Sequence, residues 1–328
     1  MKIIITDGYT LNPGDLSWQP LDAFGEVVYY DRTSPDEVKQ RCSEANIILT
    51  NKTPINEETI DAATGLRLIA VTATGYNMVD TAAARKRGIP VCNVPEYGTD
   101  SVAQHTFALL LELSNHVGDY AQSVQEGEWQ RSPDFCYCKT PLIELKGKTL
   151  GLIGFGRIGK QVARIAQAFD MRVLYSRRSP VLQEVREKAD TPASPGIPQP
   201  VDMNTIFRDS DFISLHCPLT PENQSFINAK LLSLMKPTAF LINTSRGQLI
   251  NETDLAAALR NKTLAGAALD VLSTEPPPPG HPLIGLANCL LTPHIAWMSA
   301  EARRRLLGTT IDNVRLALAG TPQHVVNA

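Results

Sequence analysis

The chain has 328 residues, more than the roughly 250 to 300 at which a single hydrophobic core stops growing, so we expect two domains. Its formal net charge of −3 gives no basic surface for nucleic acid or an anionic membrane, which leaves small molecules as the expected partners. The six cysteines lack C-x-x-C spacing, the N-terminal segment turns polar too soon for a signal peptide and no apolar run is long enough to span a membrane. We therefore expect a cytoplasmic protein with reduced thiols, no metal site and no membrane segment.

Strands alternate with helices along the first hundred residues, which is the pattern of a parallel sheet wound by crossover helices. One helix is well marked, because Ser34 can cap it, Pro35 suits its first turn and Glu37 completes a capping box. We predict that this helix extends to residue 45. The predicted strands of this first series are 3–6, 27–30, 47–50, 68–72 and 91–93.

The same alternation begins again after a long helix predicted over 101–125. The proline-rich stretch 191–200 is predicted to be a surface connection, because proline donates no hydrogen bond to a sheet. A final helix is predicted over 300–318, where it can return to pack on the first domain. The predicted strands of the second series are 150–153, 173–176, 212–215, 239–243, 266–271 and 289–291.

The glycine-rich run GLIGFGRIG at 151–159 follows an apolar strand and opens a helix predicted over 160–169. Gly154 permits a tight turn, Gly156 leaves room for a pyrophosphate at the backbone, and Gly159 lets helix and strand pack closely. Unpaired N–H groups at the helix N-terminus favour an anion, beside which Arg157 adds positive charge. Flanked by strand, helix and strand, the run predicts a dinucleotide site, whereas the same glycines alone would indicate only a turn.

Three polar residues follow predicted strands of the second series: Arg246, Glu275 and His294. Since the carboxyl ends of parallel strands form the ligand crevice, we expect these side chains to converge there. A guanidinium can hold a carboxylate, a histidine can exchange a proton near neutral pH, and a glutamate can orient the imidazole. Taken singly, each also has an ordinary interpretation, as a surface charge, a loop acid or a turn residue.

The order of these motifs resembles the D-isomer-specific 2-hydroxyacid dehydrogenases along essentially the whole chain. The matching segments are ATGYNMVD (73–80), NVPEYGTDSVAQHTFALLLEL (93–113), KTLGLIGFGRIGKQVARIAQAFDMRVLYS (148–176), LHCPLT (215–220), LINTSRGQLIN (241–251), AGAALDVLSTEP (265–276) and LTPHIAW (291–297). The resemblance implies that Arg246 binds the substrate carboxylate and keto oxygen. It also implies that His294 is the acid/base catalyst and that Glu275 is its carboxylate partner.

The resemblance further implies the contacts of the cofactor and of the rest of the substrate. Asp270 is expected to contact the nicotinamide carboxamide. The backbone around Thr74, Gly75 and Tyr76 is expected to help hold the substrate carboxylate from the opposite domain. The other residues implied along the cofactor are Arg157 and Ile158 at the pyrophosphate, Cys217 and Pro218 at the adenine, and Thr244.

Within that family, the chain is most similar to the glycerate dehydrogenase or hydroxypyruvate reductase branch. The features that indicate this branch are Lys52 in TNKTP, the TGYN loop and Trp297, although Trp297 can equally pack under the last helix. Hydroxypyruvate and glyoxylate are the expected substrates, and their ranking stays open. The alternatives are a dehydrogenase for another acid, such as 3-phosphoglycerate, and a non-catalytic dinucleotide-sensing regulator of the same fold.

The residues after the strand that follows the glycine helix favour NADP(H) over the alternative, NAD(H). An NAD site places an acidic residue there to bind the ribose hydroxyl, but this chain has LYSRRSP at 174–180 and no acid before Glu184. Arg177 and Arg178 can attract a 2′-phosphate, to which Ser176 can add a hydrogen bond. If the arginines are only solvated or stack on the adenine, this preference disappears.

The predicted fold class is α/β, with two Rossmann-like doubly wound parallel-sheet domains and an interdomain active-site cleft. We expect residues 1–99 plus 293–328 to form the substrate-binding domain and 100–292 the dinucleotide-binding domain. A homodimer is expected through the helix after Asp100 and the arm 126–141, whose aromatic residues are typical interface anchors. The alternative is that these residues fold back on their own subunit. They are Trp129, Phe135 and Tyr137.

Overall fold

The computed structural model describes residues 1–176 and 197–328, and these form two compact units. The first contains Met1–Gly98 and Trp297–Ala328, and the second contains Thr99–Ala296. Residues 293–296, which we predicted to belong with the C-terminal helix, lie in the second unit. The reason is a side chain of that unit: Asp270 accepts the backbone N–H groups of Ile295 and Ala296, both at 2.9 Å.

Every strand pairing within the two sheets is parallel. The strands are β1 (Lys2–Ile5), β2 (Glu26–Tyr29), β3 (Ile47–Thr50), β4 (Leu68–Val71), β5 (Val91–Cys92), β6 (Thr149–Ile153), β7 (Arg172–Ser176), β8 (Gln199–Pro200), β9 (Phe212–Leu215), β10 (Phe240–Asn243), β11 (Gly266–Leu269) and β12 (Cys289–Leu291). The described α-helices are α1 (Pro35–Cys42), α2 (Glu57–Ala62), α3 (Thr81–Lys86), α4 (Thr99–Asn115), α5 (Val117–Gln125), α6 (Arg157–Ala168), α7 (Met203–Asp209), α8 (Ala229–Leu232), α9 (Glu252–Arg260) and α10 (Ala300–Leu318). Short 3-10 turns lie at Gly8–Thr10, Gln19–Phe24, Trp129–Arg131, Pro221–Asn223 and Gly247–Leu249.

The first unit contains a five-stranded sheet in the order β2-β1-β3-β4-β5. Alternate residues of β1 lie on opposite faces: Ile3 packs with Val314 of α10, whereas Ile4 packs with Val38 of α1. The sheet is therefore covered on both faces, as a parallel sheet requires. The capping box predicted for α1 is present, although the helix ends at Cys42 rather than at residue 45.

The second unit contains a seven-stranded sheet in the order β12-β11-β10-β9-β6-β7-β8. The chain runs outward from β6 to β7 and β8, then crosses back to β9 on the other side of β6. In a doubly wound sheet, ligands bind where the strand order reverses, outside the carboxyl ends of the strands. That point lies between β6 and β9 here, and by the same rule between β1 and β3 in the first unit.

The predicted fold class of two parallel-sheet α/β domains is confirmed, but two predicted elements were wrong. The long helix over 101–125 is two helices, because His116 adopts a left-handed conformation (φ +49°) between α4 and α5. The stretch 191–200 is not connection throughout, since Gln199–Pro200 pairs with β7 at the edge of the sheet. An edge strand tolerates proline because one side of it needs no ladder hydrogen bonds.

Candidate active site

The glycine loop after β6 lies at the point where the strand order of the second sheet reverses. Gly154 has a φ of +99°, and a Cβ there would come within 2.6 Å of the Cys217 backbone nitrogen after β9. A Cβ on Gly159 would overlap the carbonyl oxygen of Gly154, whereas no described atom lies within 4 Å of the Cβ position of Gly156. The loop is therefore closed towards β9 and open at Gly156, where a pyrophosphate can approach the backbone.

Helix α6 begins at Arg157 immediately after this open position, with Gly156 as its N-cap residue. Gly156 has no side chain with which to cap this first turn, and the N-terminus of a helix favours an anion. The side chain of Arg157 is exposed and that of Ile158 is half-buried. A helix start of this kind fits a dinucleotide phosphate. In the described part of the chain, no group of three or more His, Cys, Asp or Glu residues is arranged to hold a metal ion.

The end of β7 lies beside the glycine loop, at the carboxyl edge of the same sheet. The Gly154 N–H donates to the carbonyl oxygen of Ser176 at 2.9 Å, and the Phe155 ring stacks on Tyr175 with centroids 3.9 Å apart. Ser176 is half-buried. The two predicted cofactor residues that follow it, Arg177 and Arg178, lie outside the described residues.

The loops after β9 and β10 are joined by a hydrogen bond of 2.6 Å from the Ser245 hydroxyl to the Cys217 carbonyl oxygen. Cys217 is half-buried, and burial raises the pKa of its thiol, whereas Pro218 is exposed. Thr244 is buried, and its hydroxyl lies 3.1 Å from that of Thr106 on α4. The predicted cofactor residues Cys217, Pro218 and Thr244 therefore lie on two neighbouring loops at the carboxyl edge of the sheet.

His216, beside this loop, was not singled out from the sequence, although it lies within the LHCPLT segment. Burial lowers its pKa to about 4, and its Nε2 lies 2.9 Å from the Ser214 hydroxyl. An imidazole with that pKa is neutral at physiological pH. It therefore packs behind the glycine loop without adding charge near the phosphate position.

The structure brings Glu275 and His294 together, with 2.6 Å between Glu275 Oε2 and His294 Nδ1. Glu275 Oε1 accepts the N–H of Leu272 at 3.0 Å, so the carboxylate bridges its own loop and the imidazole. Glu275 is exposed and His294 is half-buried. Because Glu275 occupies the Nδ1 side, Nε2 is the ring nitrogen that can exchange a proton with a ligand.

Asp270 anchors the segment that carries His294. Its side chain is 1% exposed, and its carboxylate accepts the Thr292 hydroxyl at 2.6 Å in addition to the N–H groups of residues 295–296. Burial by itself raises the pKa of Asp270, but hydrogen bonds from His105, Thr292 and the two backbone groups outweigh this effect and hold the pKa below its usual range. The nicotinamide contact implied for Asp270 by resemblance stays a prediction.

Arg246 follows β10 at the start of the 3-10 turn Gly247–Leu249 and is half-buried. Its Nη1 donates to the Ser245 carbonyl oxygen at 2.7 Å. Gly247 beside it was missed from the sequence, where only its place in the SRGQ segment marks it. A Cβ on Gly247 would overlap the backbone of Leu272, so this glycine lets the Arg246 loop lie directly against the loop that carries Glu275.

The remaining predicted substrate residues belong to the first unit. Lys52 is exposed, on a loop whose three consecutive N–H groups, residues 51–53, donate to the carboxylate of Asp7 at 2.8, 2.5 and 2.8 Å. Asp7 follows β1 and the loop follows β3, at the point where this strand order reverses. Asp7 was also missed, because only the fold brings it beside a loop more than 40 residues away.

Thr74, Gly75 and Tyr76 form a second loop of the first unit, after β4. The Thr74 hydroxyl donates to the carbonyl oxygen of Val94 at 2.9 Å, which holds this loop beside the residues after β5. Thr74 and Tyr76 are exposed and Gly75 is half-buried. Trp297 is half-buried and contacts Tyr97 edge to face, with ring centroids 6.2 Å apart. This contact fits the packing interpretation of Trp297.

Comparison with known proteins identifies close relatives. The family model described as D-isomer specific 2-hydroxyacid dehydrogenase, NAD binding domain, matches residues 107–296. A hydroxypyruvate reductase from Blautia hydrogenotrophica is 45% identical over 332 aligned residues, covering 100% of each chain. A glycerate dehydrogenase from Methylorubrum extorquens is 40% identical, covering 92% of each chain. A solved NADPH-dependent glyoxylate/hydroxypyruvate reductase from Sinorhizobium meliloti is 27% identical, with a TM-score of 0.80 over 97% of this chain and 95% of that one.

Proposed function

The chain belongs to the D-isomer specific 2-hydroxyacid dehydrogenase family, as its motifs predict, and on that basis we propose that it reduces hydroxypyruvate and glyoxylate with NADPH. The observation that carries the proposal is the 2.6 Å contact between Glu275 and His294, in the same unit as the glycine loop. The names of the relatives support these two keto acids over 3-phosphoglycerate.

His294 acts as the general acid in this reaction. When bound, a reduced nicotinamide would supply the hydride for the keto carbon. His294 Nε2 donates its proton to the oxygen as negative charge develops there, while Glu275 at Nδ1 orients the ring. Arg246 pairs with the substrate carboxylate and stabilises the charge on the reacting oxygen. In the first unit, Lys52 and the backbone of residues 74–76 are the residues proposed to bind a substrate carboxylate.

The residues of the second unit would hold the cofactor along the carboxyl edge of its sheet. The first turn of α6, with Arg157 and Ile158, would bind the pyrophosphate beside Gly156. Cys217 and Pro218 would line the adenine, Thr244 would contact the cofactor, and Asp270 would contact the nicotinamide. These positions fit a dinucleotide because the loop is open at Gly156 and leads directly into the N-terminus of a helix.

A panel of small keto acids tests the proposed activity. We expect the highest kcat/KM with hydroxypyruvate or glyoxylate, followed by larger 2-keto acids, and none with a ketone that lacks the carboxylate. A protein that binds cofactor but turns over no keto acid would instead be the dinucleotide-sensing regulator. Higher kcat/KM with 3-phosphohydroxypyruvate than with hydroxypyruvate would assign it to the phosphorylated acid.

The preference for NADPH rests on the residues after β7. Ser176 ends that strand, and the sequence continues with two arginines and has no acidic residue before Glu184, a composition that favours a 2′-phosphate. The test compares kcat/KM for NADPH and NADH, and then replaces Arg177 and Arg178 together by Ala. We expect the KM for NADPH to rise and that for NADH to stay unchanged. A preference for NADH in the unaltered enzyme would overturn the assignment.

A homodimer through the second unit is part of the same proposal. On the arm 126–141, the exposed fractions are 89% for Phe135 and 53% for Trp129, whose Nε1 donates to the Phe135 carbonyl oxygen at 2.9 Å. Tyr137 instead packs on its own subunit, against Tyr120 and the Ser123 hydroxyl. Phe135 and Trp129 are therefore the expected anchors. Light scattering that gives a stable monomer at micromolar concentration would refute the dimer.

A further inference from the structure

We propose that Glu252 is a positioning residue for the Glu275–His294 pair and acts through Ser273. Glu252 is the first residue of α9, and its side chain is 12% exposed. Its Oε1 accepts the backbone N–H of Ser273 at 2.7 Å, and its Oε2 accepts the hydroxyl of the same residue. The inference depends on the proposed role of His294 as the general acid.

A third donor completes the surroundings of the Glu252 carboxylate. His281 Nε2 lies 3.1 Å from Glu252 Oε2, and the His281 side chain is 5% exposed. The N–H of Leu283 donates to His281 Nδ1 at 3.4 Å, so Nδ1 carries the lone pair and Nε2 carries the proton. Three donors therefore point at Glu252, and an ionised carboxylate, which only accepts hydrogen bonds, matches all of them.

Ser273 connects this buried carboxylate to the candidate active site. It lies between Leu272, whose N–H donates to Glu275 Oε1 at 3.0 Å, and Glu275 itself. Its carbonyl oxygen accepts Gln248 Nε2 at 2.8 Å, so both its polar backbone atoms and its hydroxyl are bound. Fixing Ser273 fixes the loop from which Glu275 reaches His294.

Different charged groups surround Glu252 and the Glu275–His294 pair. Glu275 faces His294, and Asp270, with His105 at 3.4 Å, holds the segment that carries His294. His281 faces Glu252. A change at Glu252 therefore reaches His294 through the position of the loop, whereas a change at Glu275 removes the charge beside the imidazole.

The substitution Glu252→Gln tests the inference with little change in shape. Its amide has one acceptor oxygen and one NH₂ group, and the NH₂ must face either the Ser273 N–H or the His281 N–H. We expect kcat to fall about 10-fold, less than the roughly 100-fold that a 1 Å misplacement can cost. We also expect the pH at which ketone reduction loses half its rate to shift towards acid, since the negative charge of a looser Glu275 is held less closely beside the ring.

The variant Glu275→Gln shows whether the shift in the pH midpoint depends on Glu275. If Glu252 acts through Glu275, Glu252→Gln shifts the pH midpoint of the wild-type enzyme but not that of the Glu275→Gln enzyme. The matched control is Asp254→Asn on the same helix, because Asp254 also accepts a backbone N–H, from Ala229 at 2.8 Å. It should lower the melting temperature and leave the pH midpoint unchanged.

Ser273→Ala provides a second variant if Glu252→Gln does not fold, since it removes only the hydroxyl and should give a smaller shift in the same direction. An unchanged midpoint in the folded Glu252→Gln enzyme, or an equal shift in the Glu275→Gln background, overturns the inference. If Ser273→Ala folds and Glu252→Gln does not, an unchanged pH midpoint in Ser273→Ala also overturns the inference. If Glu275→Gln itself leaves the midpoint unchanged, the proposed acid/base role fails and the inference with it.

Discussion

In the first unit, Asp7 follows β1 and its carboxylate accepts the N–H groups of three consecutive residues, 51–53. In the second, Asp270 follows β11 and its carboxylate accepts two consecutive N–H groups, of residues 295–296. Each aspartate therefore fixes the backbone of a loop that carries one proposed substrate-contacting side chain. That side chain is Lys52 in the first unit and His294 in the second.

The surroundings of the two aspartates differ. Asp270 is almost wholly buried and is also bound by Thr292 and His105, whereas Asp7 is half-buried. A proton moves between atoms only within hydrogen-bond distance, so an acid catalyst needs a closely defined position. A lysine that attracts a carboxylate by charge tolerates more movement. We therefore expect the anchor of the His294 segment to affect the rate and the anchor of the Lys52 loop to affect mainly the affinity for substrate.

The largest expected effect is that of His294→Ala. We expect kcat to fall by roughly two to four orders of magnitude, the scale of a lost general acid, with little change in cofactor affinity. Lys52→Ala should instead raise the KM for the keto acid and change kcat much less. Steady-state kinetics distinguish the two, and a His294→Ala enzyme that keeps most of its activity would refute the catalytic assignment.

Asp270→Asn should have the next largest effect, because its NH₂ group must face donors that the carboxylate accepts. We expect the free energy of unfolding to fall by about 3 kcal/mol and kcat to fall by roughly 10- to 100-fold. Urea unfolding and steady-state kinetics measure both. The control is Asp211→Asn. Asp211 also accepts a backbone N–H, that of Thr149 at 2.8 Å, but at the end of β6 that lies opposite the glycine loop. Equal losses of kcat in the two variants would contradict the comparison.

Asp7→Asn should be milder and should act on a different parameter. We expect the KM for the keto acid to rise about 10-fold, equivalent to about 1.4 kcal/mol of binding energy, with kcat nearly unchanged. Asp80→Asn is the control, since Asp80 caps α3 in the same unit by accepting the Ala83 N–H at 2.9 Å. A fall in kcat as large as that of Asp270→Asn would show that both anchors affect the chemical step.

The smallest expected effect concerns acid stability. The pKa of Asp270 is lowered in the folded protein, so its contribution to stability is present above its usual value of 3.8 and is lost as pH falls through the folded pKa. The difference in unfolding free energy between wild type and Asp270→Asn should therefore be constant near neutral pH and should shrink below about pH 4. Denaturant unfolding at several pH values measures it. A constant difference down to pH 2 would contradict the sign of the shift.

Local patterns were enough to predict the alternating strands, the capping box of α1 and the glycine loop. These features depend on residues close together in the sequence, such as Ser34 with Glu37. The break at His116 was missed because helix periodicity continues on both sides of it.

Asp7 and Glu252 were missed for another reason. Each carboxylate accepts at least one backbone N–H group more than 20 residues away, and a backbone group has no signature in the sequence. The positions of Arg246, Glu275 and His294 after strands did suggest a common edge, but not which side chains would meet. Only the folded chain shows that Glu275 reaches His294 while Gly247 lies against Leu272.

The first unit is assembled from both ends of the chain, whereas the second is continuous from Thr99 to Ala296. During synthesis on the ribosome, every residue of the second unit is therefore made before α10, which covers one face of the first sheet. The N-terminal strands must wait for that helix with apolar residues such as Ile3 and Ile5 incompletely covered. In a growing chain, the second unit can thus fold before the first. The strands of the first unit wait for α10, and they most need protection from aggregation.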